Sequence, residues 1–418
     1  MKKSTNHKIK IEKVKLFEEK KNCCACGACM NICSNQAITM KEDKYGYLYP
    51  DIDESKCISC KACKRVCAYQ SIEEENKPID IYVSSSKDNK QMSNSASGGI
   101  FAAFATKVLK NGGIVFGATF DNSKGVLEPI HIGVIDEKNL LKLQGSKYVQ
   151  SSIGTTYQEA KNYLCNGKMV LFSGTPCQIA GLKSYLGKNY VGLITVDIIC
   201  HGVPSAKFFQ DYLKNLETIL GGKIINFKFR DKFRGWGLNG KVIYITTTGK
   251  KKEKIISCQE SSYYNLFLKA DIYRENCYEC KYACNNRVGD ISIGDYWGIE
   301  KEHSELLEKK GGAFSIKKGI SCVMVNTNKG KKYFEQFKDC INIEKTTFKQ
   351  VARKNEQLNF PSQKSDNREK ILEIYKKNGY EAVEKFFRKR AGLKIYIYKI
   401  KNMLPIWMKN YIKMLMRK

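Results

Sequence analysis

The chain has no apolar run near the ~18 residues that a membrane-spanning helix needs. Its longest such run, Val191 to Cys200, is interrupted by Asp197. The first stretch, Met1 to Lys21, is polar and basic and lacks the apolar core of a secretory signal. These two absences lead us to expect a cytoplasmic, reducing environment. Acidic residues are also scarce: 42 Asp and Glu stand against 72 Lys and Arg in 418 residues, a formal net charge of +30. Such a balance favours acidic partners, although lysines spread along the whole chain also fit a surface that is simply basic throughout. No recognised nucleic-acid module accompanies the charge, so nucleic acid is not expected as a partner.

Cysteine is plentiful, with 18 residues. In a reducing compartment, cysteines at short regular spacing read as metal ligands instead of disulfides. Cys23, Cys26, Cys29 and Cys33 follow the spacing C-x2-C-x2-C-x3-C, and Cys57, Cys60, Cys63 and Cys67 repeat it. This is the spacing of bacterial ferredoxins, in which the fourth cysteine of each run ligates the other cluster. It assigns Cys23, Cys26, Cys29 and Cys67 to one 4Fe-4S cluster, and Cys57, Cys60, Cys63 and Cys33 to a second. Small residues at Gly27, Ala28 and Ala62 let the backbone wrap closely. Zinc modules use cysteine pairs parted by longer spacers, which fits poorly. The proline usual after the fourth cysteine is missing, with Ser34 and Ala68 in its place. Cys24 is left over and reads as a small buried side chain, as do Cys165, Cys258, Cys322 and Cys340. His131 and His201 read as packed core histidines.

The domain order follows from texture. Residues 1–18 form a basic arm, 19–70 the cysteine-rich domain and 71–80 a linker containing Glu73, Glu74, Glu75 and Pro78. Strands and helices then alternate. Ile100, Phe101, Phe104, Val108 and Leu109 recur at helical spacing behind Ser97 as a cap. Strands are expected over 113–120, 129–135, 168–172, 191–200, 223–229 and 241–247, and helices over 155–166 and 205–220. Pro176 suits a first helical turn capped by Thr175. The fold class expected is thus an α+β ferredoxin-like dicluster domain, an α/β domain over 81–345 with a mainly parallel or mixed sheet, and a helical basic tail over 346–418. In the tail, Leu404, Trp407, Met408, Tyr411, Ile412 and Leu415 fall largely on one helical face. Lys409, Lys413 and Arg417 fall on another, as in a helix lying on a membrane surface or one covering its own domain.

Seven segments in order over about 81–300 resemble the beta subunit of coenzyme F-420 hydrogenase/dehydrogenase. They are Ser95–Gly99 (SASGG), Gly145–Ser151 (GSKYVQS), Gly174–Leu182 (GTPCQIAGL), Asp197–Pro204 (DIICHGVP), Phe229–Lys232 with Gly235-Trp236, Cys277–Cys280 (CYEC) and Arg287–Gly298 (RVGDISIGDYWG). The resemblance implies FAD and one further 4Fe-4S cluster in this domain. The ligands expected for that cluster are Cys177, Cys200, Cys277 and Cys280, with Cys284 as the alternative fourth. Cys177 and Cys200 follow expected strands, where α/β folds gather ligands. For the flavin, the resemblance points to Ser97, Gly98 and Gly99 at a helix start, to Ser146, Lys147 and Tyr148, and to Thr175 and Gln178 beside the cluster. The implied function is an FAD-dependent iron–sulfur oxidoreductase exchanging electrons between a coenzyme F-420-like or other small molecule and an acidic carrier such as ferredoxin. The alternative is a relay subunit linking a partner redox enzyme to ferredoxin. Peripheral membrane contact through the tail is a further expectation, and no catalytic side chain is named.

Overall fold

The structure is a computed structural model that describes residues 14–70 and 76–393, with Ile395, Ile397, Tyr398, Ile400 and Met408 beyond them. Most of the basic arm, residues 71–75 of the linker and the amphipathic stretch, apart from Met408, lie outside the described residues.

The cysteine-rich domain is built on two short helices, Ala28–Ile32 and Ala62–Arg65, each starting inside a cysteine run. Between them, β1 (Ile38–Glu42) and β2 (Leu48–Ile52) pair as an antiparallel hairpin. Leu16, Ile38 and Cys63 form a small core of their own. The domain also leans on the rest of the chain: Tyr47 is buried, and its hydroxyl donates to the carbonyls of Ile272 at 3.0 Å and Tyr273 at 3.2 Å.

The large domain is organised by an eight-stranded mixed sheet. Its strands are β3 (Asp80–Ser86), β4 (Ile114–Asp121), β5 (Glu128–Val134), β6 (Val170–Gly174) and β7 (Leu193–Ile198). After an excursion through β8 (Gly222–Lys228), β9 (Asn239–Thr246) and β10 (Lys251–Ser257), the sheet continues with β11 (Ile291–Asp295), β12 (Ser321–Val325) and β13 (Ile341–Lys345). The order is β13-β3-β12-β11-β7-β6-β4-β5. The four central strands, β11, β7, β6 and β4, are parallel to one another, and the flanking pairs are antiparallel.

Side chains alternate across this sheet. Ile114, Phe116, Val170, Phe172 and Leu193 meet helices Thr156–Cys165 and Pro176–Leu186 on one face. Val115, Leu171, Ile194 and Val196 meet helices Ile100–Lys110 and Asn328–Phe337 on the other. Central parallel strands covered on both faces are apolar throughout for this reason. The expected helical cap at Ser97 is corrected: Gly99 takes the cap in a left-handed conformation, while Ser97 Oγ donates to the Ile320 carbonyl at 2.8 Å.

The expected tail is helical over most of its described part. Helix Arg368–Ala391 folds back and buries Ile371, Tyr375, Tyr380 and Val383 against Phe208 and Tyr212 of helix Ala206–Leu220, beside β8 and β9. Among the described residues no helix is long and apolar enough to cross a membrane.

The adjacent ends of β7 and β11 are locked by a fully buried ion pair. Arg287 donates to Asp197 at 2.9 Å and to the Ile198 carbonyl at 3.2 Å, and the Gly289 N–H donates to the same carboxylate at 2.8 Å. Removing one partner of such a pair strands the other charge, at a cost of about 3–5 kcal/mol. Asp197→Ala is therefore expected to lower the unfolding free energy by about that amount, read from denaturant midpoints, whereas the double change Asp197→Leu with Arg287→Met recovers most of it.

Candidate iron–sulfur centres

The two cysteine runs share an unusual backbone. Ala25 and Ser59, each just before the second cysteine, and Gly27 and Lys61, each just after it, all have positive φ, between 52° and 77°. For a side chain with a Cβ this conformation is unfavourable by about 1–2 kcal/mol. Of the five non-glycine described residues that adopt it, three lie in these runs. Mixed left- and right-handed residues turn successive N–H groups toward one point, forming the anion-binding concavity seen at iron–sulfur sites.

The tertiary structure brings the two runs together. Burial pushes the Cys29 thiol well up, and Cys26, Cys23, Cys67 and Cys63 push it further. The Cys23 thiol is raised by burial, with Cys26 and Cys67 adding to it. Cys67, the last cysteine of the second run, is thus near enough to raise both Cys23 and Cys29, and Cys63 also raises Cys29. Cys33, Cys57, Cys60 and Cys63 all line one solvent-open cavity of about 390 Å³, which Val14, Ile38 and Ile52 close on the apolar side.

A third group of thiols gathers at the sheet. Thr175 leads from β6 into helix Pro176–Leu186, placing Cys177 in its first turn, and Cys200 follows β7 by two residues. Cys277 lies in the short turn Glu275–Glu279, and Cys280 ends it. Burial pushes the Cys200 thiol well up, and Cys277, Cys177 and Cys280 push it further. The Cys277 and Cys280 thiols both rise to about 12, chiefly by burial. Four thiols brought together with little solvent around them do not ionise together without a cation among them, so the donor chemistry fits an iron–sulfur core. Cys284, the alternative fourth ligand, lies within hydrogen-bond reach of the carbonyls of Lys281 at 3.4 Å and Asn286 at 3.3 Å.

Cys24 proves to be more than a spare buried thiol. It hydrogen-bonds both Cys26 and Cys177, and so touches a member of the first set and a member of the third. Its thiol donates to Cys177, which, with Thr175 Oγ1 at 3.2 Å, draws the Cys177 thiol down to about 7 against burial. No spacing rule marks a cysteine adjacent to a ligand, so only the fold reveals this contact. Among the described residues no three His, Cys, Asp or Glu side chains are gathered so as to hold a single metal ion.

Residues 167–351 match the family model for the C terminus of the coenzyme F420 hydrogenase/dehydrogenase beta subunit, and residues 22–71 match the 4Fe-4S dicluster domain. Residues 167–351 therefore resemble that family's C-terminal domain, joined to a 4Fe-4S dicluster domain. Its dicluster domain supports two 4Fe-4S clusters. No curated protein matches the chain. A solved structure of the xenon-derivatised F420-reducing [NiFe] hydrogenase complex from Methanosarcina barkeri aligns over 77% of this chain and 94% of its own, at 16% identity and a TM-score of 0.37.

The residues expected at a flavin are largely engaged in contacts within the chain itself. Gly98 N–H donates to Ser321 Oγ at 3.0 Å, and a Cβ on Gly98 would meet the Ser84 carbonyl oxygen at 2.7 Å. Gly98 and Gly99 thus serve the close packing of a helix start on β3 and β12. Lys147 Nζ donates to the carbonyls of Lys142, Gln144 and Gly145 at 3.1, 2.9 and 3.2 Å, closing the end of helix Glu137–Leu143. Burial draws this ammonium down to about 7. Gln178 spends its amide on Ser151 and its carbonyl on Thr175 in a capping box. Tyr148 accepts from Arg230 at 3.0 Å and stacks on Phe267, with ring centres 4.7 Å apart, and Ser146 is half-buried in the same loop. These contacts offer FAD no ready-made cradle.

Two histidine expectations part company. His131 is buried and bonded through both ring nitrogens, to Ser151 Oγ at 2.9 Å and the Ser173 carbonyl at 3.1 Å, while His201 is exposed. Cys165, expected to be buried, is also exposed.

A Cβ on Gly181, in the GTPCQIAGL segment, would meet Cys26 Sγ at 2.8 Å and Cys26 Cβ at 2.9 Å. Gly181→Ala should therefore displace Cys26, lowering iron by up to about four atoms per chain and destabilising the fold by about 1–3 kcal/mol; full iron content would refute this. Burial holds the His131 imidazole down at about 4, from 6.5. The unfolded chain then binds the extra proton between those values, so stability falls as pH drops through that window, by about 3 kcal/mol in all. Urea midpoints of the wild type should show this slope, and those of His131→Asn should lack that component.

Proposed function

We propose that the chain is an iron–sulfur oxidoreductase whose cysteines form one electron path from the interior of the large domain to the surface of the cysteine-rich domain. Cys177, Cys200, Cys277 and Cys280 hold a third 4Fe-4S cluster at the buried end. Cys23, Cys26, Cys29 and Cys67 hold the middle one, and Cys33, Cys57, Cys60 and Cys63 the outer one. When bound, the clusters supply one-electron transfer in either direction. The observation that carries this reading is the Cys24 contact, since it joins the third set to the first with no intervening element.

The outer set is the exit. Cys60 is exposed, and Ile58 beside it is 64% exposed. Exposed Lys56, Lys61, Lys64 and Arg65 surround this point against the exposed carboxylates of Asp53 and Glu54. An apolar spot in a mostly cationic rim suits transient docking of an acidic electron carrier of the ferredoxin type in the cytoplasm.

FAD, which the family resemblance implies, is the two-electron group in this reading, with a coenzyme F-420-like or other small molecule as its partner. The second reading is a relay subunit without flavin. It is favoured by the internal hydrogen bonds that Gly98, Lys147 and Gln178 would have to give up to bind one.

Protein purified without oxygen is expected to contain about twelve iron atoms per chain. Cys177→Ser with Cys200→Ser should then remove about four while leaving the dicluster signals. Near eight iron atoms in the wild type would sink the third site. Bound FAD with substrate-dependent bleaching supports the enzyme, and three clusters without flavin support the relay. Membrane contact through the tail would show as liposome flotation that is lost on removing residues 388–418.

A further inference from the structure

Four arginines are buried in the described structure: Arg230, Arg274, Arg287 and Arg368. Three of them face a carboxylate. Arg230 pairs with Asp295 at 2.9 Å, Arg287 with Asp197 at 2.9 Å and Arg368 with Glu275 at 2.9 Å. Arg274 is the exception: it has no exposed surface, and among the described residues no carboxylate pairs with it. Its Nε donates to the Cys23 carbonyl at 3.0 Å, and one terminal nitrogen donates to the Leu48 carbonyl at 2.6 Å. The guanidinium lies over the Tyr49 ring at 4.0 Å. Its other terminal nitrogen is buried with no acceptor.

A guanidinium does not give up its proton in a protein, so it cannot escape burial by neutralising. A buried charge with an empty donor is strongly unfavourable unless a counter-charge lies close by. Among the described residues no carboxylate forms an ion pair with it, and the cysteines of two sets lie beside it. Arg274 touches both sets: its Nε bonds the Cys23 carbonyl in the first, and its own carbonyl accepts from the Cys277 N–H at 3.0 Å in the third. Gln150 braces the same junction, donating to the Cys24 carbonyl at 3.0 Å.

We propose that Arg274 is the shared counter-charge of two iron–sulfur clusters, the one held partly by Cys23 and the one held partly by Cys177 and Cys277, and that it raises the reduction potentials of both. A cluster surrounded by four thiolates is net negative, and one more electron makes it more so, so a fixed cation favours the reduced form. Arg274 acts as a positioning residue for charge and touches no substrate. The outer cluster, held by Cys33, Cys57, Cys60 and Cys63, lies outside this pairing. The inference rests on the three-cluster reading.

The test is a redox titration of the intact chain followed by electron paramagnetic resonance, with iron counted on the same samples. Arg274→Met is expected to lower two of the three midpoint potentials, each by about a tenfold change in the reduction equilibrium, or about 59 mV for one electron. The third potential should stay in place. Arg274→Lys, which keeps the charge, should hold both near the wild-type values. If Arg274→Met loses iron, then retention of iron and wild-type potentials in Arg274→Lys still supports a charge requirement. Unmoved potentials at full iron content, equal shifts of all three, or iron loss in both variants would overturn the role. A wild-type count near eight iron atoms would instead overturn the third site itself, a separate failure visible before any variant is made.

Discussion

Everything else in this molecule depends on the approach of Cys26 to Gly181. The cysteine-rich domain could not sit against helix Pro176–Leu186 if that position carried a side chain, because a Cβ would lie within 3 Å of Cys26. The contact places the first run over the first turn of the same helix, where Cys177 lies, and lets Cys24 reach across. Asn31 Nδ2 bonding to Gly154, Ser184 Oγ to Val66 and Lys281 Nζ to Ala68 then tie the two domains together at 2.9, 2.9 and 2.6 Å. The cysteine-rich domain is thus packed on the helices that cover one face of the sheet and is not a tethered carrier.

The second constraint is electrostatic. Bringing many thiols into low dielectric raises their pKa values, and each neighbour raises the next. The structure answers with backbone N–H groups turned inward by left-handed residues, with the Cys24 donor, and with one arginine that has no carboxylate of its own. These features lie between the ends of β6 and β7 and the cysteine-rich domain, where Cys60 alone of the twelve cysteines in the two runs and the third set is exposed.

The same sheet explains why the other family segments take the form they do. Asp197 and Arg287 lock β7 to β11, Asp290 accepts from Thr195 Oγ1 at 2.7 Å and Thr327 Oγ1 at 2.8 Å, and Asp295 takes Arg230 and Trp236. Trp236 and Trp297 stack 4.5 Å apart, nearly parallel. Residues that invite a cofactor reading by their motif are here holding strand ends and loops in place.

Cysteine spacing alone determined the two four-thiol runs of a dicluster domain, because cluster ligation is a local geometric demand repeated in the chain. Apolar runs at β4, β6 and β7 were legible because strands buried on both faces are uniformly apolar. The strands β10 to β13 were not. β10 is charged along most of its length and half exposed, and β11, β12 and β13 have five residues each, too few for a period to show. The third set of thiols spans more than a hundred residues, and without the family resemblance no spacing would have joined its members. Only the tertiary structure could decide what Cys24, Gly181 and Arg274 do, since each acts through a neighbour far away in sequence. It also turned Lys147 from an expected anion ligand into a helix cap, because the carbonyls that claim its three protons converge only once the loop has folded.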